Sequence, residues 1–168
     1  MKPSLLVSDS GPLIVFAIAG LLPVLKNLRG ALLVPTAVLH ECLLRPAKPG
    51  VREIQDALAQ GCLIEMQADA SLTPIDSAAN PGNLGEGEIA VLSACKAHGY
   101  IAIIDEVRAR RLAKFMNITY VGSGGLLLEL NRVGLLSAIR PTLDLWAQHD
   151  YFISPSIRQS LLGIAQEQ

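Results

Sequence analysis

Apolar positions in this chain follow two alternating patterns. Short, nearly continuous runs at Leu5-Leu6-Val7-Ser8-Asp9, Ala31-Leu32-Leu33-Val34, Cys62-Leu63-Ile64-Glu65-Met66, Ile101-Ala102-Ile103-Ile104-Asp105 and Ile118-Thr119-Tyr120-Val121 read as five strands. Strands that are apolar on both faces are covered on both faces, and helical segments fill the intervals, so the pattern predicts an α/β fold with a parallel sheet. Helix punctuation agrees. Pro35 sits where a first-turn proline belongs, Gly99 and Gly134 follow the ends of periodic runs, and Ser154-Pro155 opens the last helix. The stretch from Gln67 to Asn83, with Pro74, Pro81 and Gly82, reads as a loop before a helix starting near Gly85. Beyond Ser137 two further helical segments, about 138–149 and 155–166, follow the last strand and form a separate docking element. No internal repeat, low-complexity tract or long linker divides the chain.

Composition narrows the classes. At 168 residues with 51% apolar and 17% charged positions, the chain suits one sizeable core and excludes a disordered tail or coiled coil. A net charge of −1 leaves no global positive field, so any nucleic-acid contact has to be local. Cys42, Cys62 and Cys95 are odd in number and far apart, which suggests neither a disulfide framework nor a zinc site but small buried hydrophobes in a reducing cytoplasm. Lys2 and Ala17-Ile18-Ala19 imitate a secretory signal, but Asp9 interrupts the apolar region. The charge-free run from Ser10 to Leu25 is broken by Pro12, Gly20 and Pro23, so a soluble, unprocessed, cytoplasmic protein with no membrane contact is expected.

Candidate chemistry rests on carboxylates. Asp9 and Asp105 each end an apolar strand, and in an open parallel sheet ligands bind beyond the carboxyl ends of the strands. Capping of the following helix is the competing explanation for either aspartate alone. Glu41 shares a helix face with Ala37, Val38 and Leu44, a stripe expected to face the core, and Glu88 shares one with Val91, Leu92 and Cys95. Carboxylates there are costly unless paired, hydrogen-bonded or bound to metal. Glu86, three residues after Asn83, reads instead as the acid of a capping box with Asn83 as N-cap. Convergence of Asp9, Glu41, Glu88 and Asp105 would require neutralisation, and oxygen-only ligands suit Mg²⁺ or Mn²⁺. His40, His98 and His149 are scattered and read as structural or exposed.

These residues carry a resemblance. Asp9-Ser10 with Pro12-Leu13-Ile14, Val34-Pro35 followed by Glu41, Leu84-Gly85-x-Gly87-Glu88, Ile104-Asp105-Glu106 with Arg108-Ala109-Arg110, and Val121-Gly122-Ser123-Gly124 are similar in order to the PIN-domain ribonucleases, particularly the VapC-like toxins of prokaryotic toxin–antitoxin systems. The resemblance implies a three-layer α/β/α fold with a parallel five-stranded sheet in the order 3-2-1-4-5. It implies a PIN-like nuclease domain over residues 1–136 and a helical extension over 137–168, packed on the same domain or serving as an oligomer interface. Its metal-binding and catalytic acids fall on Asp9, Glu41, Glu88 and Asp105, with one or two Mg²⁺ or Mn²⁺ ions. Glu106 stands where this subgroup more often has Asp, and Ser10 where Thr is commoner.

The expected activity is metal-assisted hydrolysis of RNA phosphodiester bonds, with Ser10, Glu106 and Ser123 orienting water or substrate. Arg108, Arg110, Arg111 and Lys114 are the local candidates for RNA-backbone contact. An antitoxin protein and a homodimer are the implied partners. Two other readings stand beside this one. The chain could be a non-catalytic PIN-like scaffold for a protein partner, or an α/β phosphoacceptor or nucleotide-binding module, although a Gly-x-x-x-x-Gly-Lys loop is missing. Trp146, Tyr151 and Phe152 concentrate aromatic surface in the tail, explained either by packing on the domain or by an interface.

Overall fold

The central strand β1 (Leu6–Ser8) is buried along its whole length, which requires cover on both faces of the sheet. The computed structural model describes residues 5–67 and 83–167; most of the expected 67–83 loop lies outside the described residues. After β1 come α1 (Ser10–Ile18), α2 (Leu22–Arg29), β2 (Leu32–Pro35), α3 (Thr36–Leu43), α4 (Val51–Ala59) and β3 (Leu63–Met66). The second half runs α5 (Glu86–His98), β4 (Ile101–Ile103), α6 (Val107–Phe115), β5 (Tyr120–Val121), α7 (Ser123–Arg132), α8 (Arg140–Gln148) and α9 (Pro155–Ile164).

The strands form one parallel sheet in the order β3-β2-β1-β4-β5. Val7 pairs with Leu33 on one side and Ala102 on the other, so β1 is the axis from which the chain first moves outward and to whose far side it later returns. That reversal between β1 and β4 is the topological switch point where such sheets open a crevice. A hydrogen bond donated by the Asp9 backbone N–H to the Ile103 carbonyl (3.1 Å) carries the β1–β4 pairing up to the crevice floor.

All the expected strands are present, mostly shorter than their apolar runs. β4 ends at Ile103, leaving Ile104 and Asp105 beyond it, and β5 keeps only Tyr120 and Val121. Pro35 ends β2 and precedes the first turn of α3 rather than lying in it, since its ring-fixed φ of −59° suits an extended residue (ψ 145°) as well as a helical one. Gly99 caps α5 in the left-handed conformation, and the Ser154 hydroxyl caps α9 by accepting from the Ile157 amide.

The tail helices share the core. Trp146 of α8 is fully buried, its indole Nε1–H donates to the Val15 carbonyl of α1 (2.8 Å), and its ring meets Phe16 edge-on at 5.4 Å. Leu161 of α9 packs where a side chain on Gly124 would otherwise stand. Phe152, by contrast, is 82% exposed. Cys42, Cys62 and Cys95 are buried and unpaired, and burial pushes the Cys42 and Cys95 thiols up to about 12. Among the described residues no single helix is long and apolar enough to cross a membrane.

Candidate active site

Asp9 follows β1 directly and occupies the N-cap position of α1, yet its side chain makes no capping hydrogen bond. Its backbone is already spent, the carbonyl accepting from the Leu13 amide and the Ser8 hydroxyl. Only 7% exposed, this carboxylate is pushed from 3.8 up to about 6. Desolvation is the largest cause, and the charges of Glu88, Glu41 and Asp105 add to it against the opposing Ser10 amide.

Asp9 and Ser10 form one wall of an open cleft of about 510 Å³, with Ala37, His40, Glu41 and Leu44 of α3 and residues 85–88 at the start of α5 around them. Glu41 reaches this cleft for a different reason than the expected one. The buried stripe of α3 is Val38, Leu39 and Cys42; Glu41 is exposed and Leu44 is 62% exposed, so the face they share opens to the cleft rather than the core. Glu88 is half-buried, and its Oε2 accepts a hydrogen bond from the Gly85 amide at 2.9 Å. The capping acid of α5 is therefore Glu88, not Glu86, and Gly85 rather than Asn83 is the N-cap. Asn83 has a φ of 50°, which takes it out of the extended conformation a cap needs.

Gly87 makes room between the carboxylates. A Cβ there would meet Val38 Cγ2 at 3.1 Å, Glu41 Oε2 at 3.4 Å and Asp9 Oδ1 at 3.7 Å, so two acidic oxygens converge on a space that only a glycine leaves open.

Asp105 is organised differently. The Ser123 amide (2.8 Å) and Arg110 Nη2 (3.0 Å) donate to its Oδ1, while the Ser123 hydroxyl (2.5 Å) and the Tyr151 hydroxyl donate to its Oδ2. Arg110 also donates from Nε to the Ile104 carbonyl (2.9 Å), so the structure commits this arginine to Asp105 and its strand end. Tyr151, absent from the sequence-derived set, has its phenol pushed up by burial first and by the charge and hydrogen bond of Asp105 next. Its aromatic cluster was visible in the sequence, but no pattern ties it to an acid 46 residues away. Glu106 is exposed and lines a second cleft of about 340 Å³ with Asn83, Leu84, Glu88 and Arg108. Arg111 and Lys114 are exposed on α6.

As the side chains stand, no three His, Cys, Asp or Glu residues among the described residues are close enough to enclose one ion. The donor set nonetheless suits a hard cation. It is all oxygen, its deepest member is a buried carboxylate surrounded by like charge, and Gly87 leaves the space between Asp9 and Glu41 clear. Mg²⁺ keeps several waters and needs only one or two direct carboxylates, so an open arrangement of this kind fits.

A parallel α/β sheet with an acidic cleft at its switch point defines the class: an open-sheet α/β protein with carboxylates gathered beyond its strand ends. A family model described as PIN domain matches residues 5–167, and the chain belongs to the PIN-domain family. PIN domains are in general metal-dependent nucleases. No curated protein matches the sequence.

Proposed function

We propose that this protein is a Mg²⁺- or Mn²⁺-dependent endoribonuclease, and that it serves as the toxin of a toxin–antitoxin pair. The observation that carries the reading is Asp9, a buried carboxylate at the end of the central strand, faced by three further acids. Burying such a group costs several kcal/mol unless a proton or cation neutralises it, which is a poor arrangement for a scaffold and a useful one for a metal site. In this reading Asp9, Glu41 and Glu88 would hold the ion directly or through water, and Asp105 would supply further negative charge from its clamped position. When bound, the ion lowers the pKa of a water and offsets charge on the phosphate. Ser10, at the cleft wall beside Asp9, orients water or a phosphate oxygen. Ser123 acts on Asp105 rather than on substrate, since its amide and hydroxyl both face that carboxylate.

Substrate contact falls to α6. Arg108 lines the cleft with Glu88 and Glu106, Arg111 and Lys114 are exposed on the same helix, and the Arg110 guanidinium is bonded to Asp105. RNA would thus follow a basic helix toward an acidic cleft whose negative charge a bound cation would offset. The inhibitory partner would be a protein segment covering the same cleft, and a homodimer in the cytoplasm is the working form.

The test is incubation of chelator-stripped protein with total RNA, with mapping of new ends by sequencing. Cleavage at defined positions that requires Mn²⁺ or Mg²⁺ and disappears in Asp9→Asn is the expected result. Cleavage that persists in Asp9→Asn or in excess chelator contradicts the proposal.

A further inference from the structure

We infer that Tyr151, reaching in from the segment between α8 and α9, is a positioning residue for Asp105, so that the C-terminal helices complete the acidic site rather than merely adjoin it. The inference rests on the metal-nuclease reading above and adds to it a residue outside the acidic set.

Asp105 lies two residues beyond the last residue of β4 and precedes α6, so neither sheet nor helix holds it. Its orientation is fixed by donors from three separate parts of the chain. Ser123 Nα–H and Arg110 fill Oδ1, and the hydroxyls of Ser123 and Tyr151 fill Oδ2. A carboxylate offers about four lone-pair sites, so this set saturates it and leaves a single orientation. The Asp105 side chain is 24% exposed, enough for its charge to act on the neighbouring cleft from that fixed place.

Tyr151 is itself held in register with the other half of the site. Its ring meets Trp146 edge-on at 5.5 Å, Trp146 meets Phe16 at 5.4 Å, and Phe16 belongs to α1, the helix that directly follows Asp9. This aromatic relay sets the phenol oxygen relative to the helix carrying the buried acid. Docking of the tail does not need the hydroxyl, because Trp146 is fully buried and bonded to Val15 without it. Gly122 completes the clamp. A Cβ there would fall 2.2 Å from Arg110 Nη2 and 3.1 Å from Asp105 Oδ1, so a side chain would expel the guanidinium.

Tyr151→Phe in the full chain removes the hydroxyl and keeps the ring against Trp146. Two readouts decide the matter, Mn²⁺ affinity by calorimetry and the carboxyl ¹³C resonance of Asp105 before any metal is added. Groups that hold the carboxylates around a metal site in place commonly contribute about 10-fold or more to affinity. The expected result is a melting temperature within about 3 °C of the parent, a shifted Asp105 resonance, and Mn²⁺ affinity lowered about 10-fold. Equal or tighter Mn²⁺ binding overturns the positioning role while leaving the metal reading intact. A melting point lowered by more than about 10 °C also overturns it, since the hydroxyl would then serve docking. Absence of Mn²⁺ binding by the parent protein removes the metal reading and this inference together.

Discussion

Glu88 accepts the Gly85 amide at 2.9 Å, so the acid that faces the cleft also closes the first turn of its own helix. The two jobs separate by substitution. Glu88→Gln keeps an acceptor oxygen and removes the charge, so urea unfolding should show stability within about 0.5 kcal/mol of the parent while Mn²⁺ affinity falls at least about 10-fold. Glu88→Ala loses both and should cost about 1 kcal/mol in the same unfolding measurement. Equal stability of the two variants would contradict the capping role.

Asp9 makes stability depend on pH in an unusual direction for an acid. Burial, and then the neighbouring carboxylates, raise its pKa from 3.8 to about 6, so between these values the folded protein holds a proton that the unfolded chain releases. Stability from this residue is therefore fully present below about pH 4 and is lost as pH rises through about 6. The penalty above that window is at most about 3 kcal/mol. Asp9→Asn carries no such charge. It should be more stable than the parent at pH 7.5 by up to about 3 kcal/mol, the gap closing near pH 4. Urea unfolding at both pH values checks this, and a pH-independent gap would contradict it.

Gly87 should tolerate a methyl group in the fold but not in the site. Gly87→Ala gains helix propensity worth up to about 1 kcal/mol, offset by the 3.1 Å approach to Val38 Cγ2. The new Cβ stands between Glu41 Oε2 and Asp9 Oδ1. Thermal melts should move by only a few degrees, while Mn²⁺ affinity measured by calorimetry drops about 10-fold. Unchanged affinity would show that the cation does not use the space between Asp9 and Glu41.

Trp146 tests whether the tail belongs to the core. Its ring is fully buried between Phe16 and Tyr151 and bonded to Val15, so Trp146→Ala should destabilise the whole protein by about 3–5 kcal/mol in urea. A transition in which the sheet unfolds unchanged and only a tail signal is lost would instead mark residues after 137 as an independent unit.

The parallel sheet was legible because β1 and β2 are apolar on both faces, and that signal survives without any tertiary knowledge. The prominence of Asp9 followed from its place at the end of such a strand. Glu41 was singled out by a face that proved to be open, because α3 is only eight residues long and its buried stripe is centred on Val38 and Cys42. The capping role passed from Glu86 to Glu88 because the N-cap is Gly85 rather than Asn83, and a shift of that size changes which acid lies at N3. The Asp105 clamp was hidden for a different reason. Arg110 looked like one member of a solvated basic run, and Tyr151 is 46 residues distant, joined only once α8 docks on α1.

The proposed activity depends on the cleft around Asp9 taking a divalent cation. Calorimetric titration of Mn²⁺ into the chelator-stripped protein at pH 7.5, beside Asp9→Asn shown to be folded, decides whether it does. Saturable binding by the parent that the substitution abolishes is the result this structure leads us to expect. No binding by the parent, or equal binding by both, would contradict it.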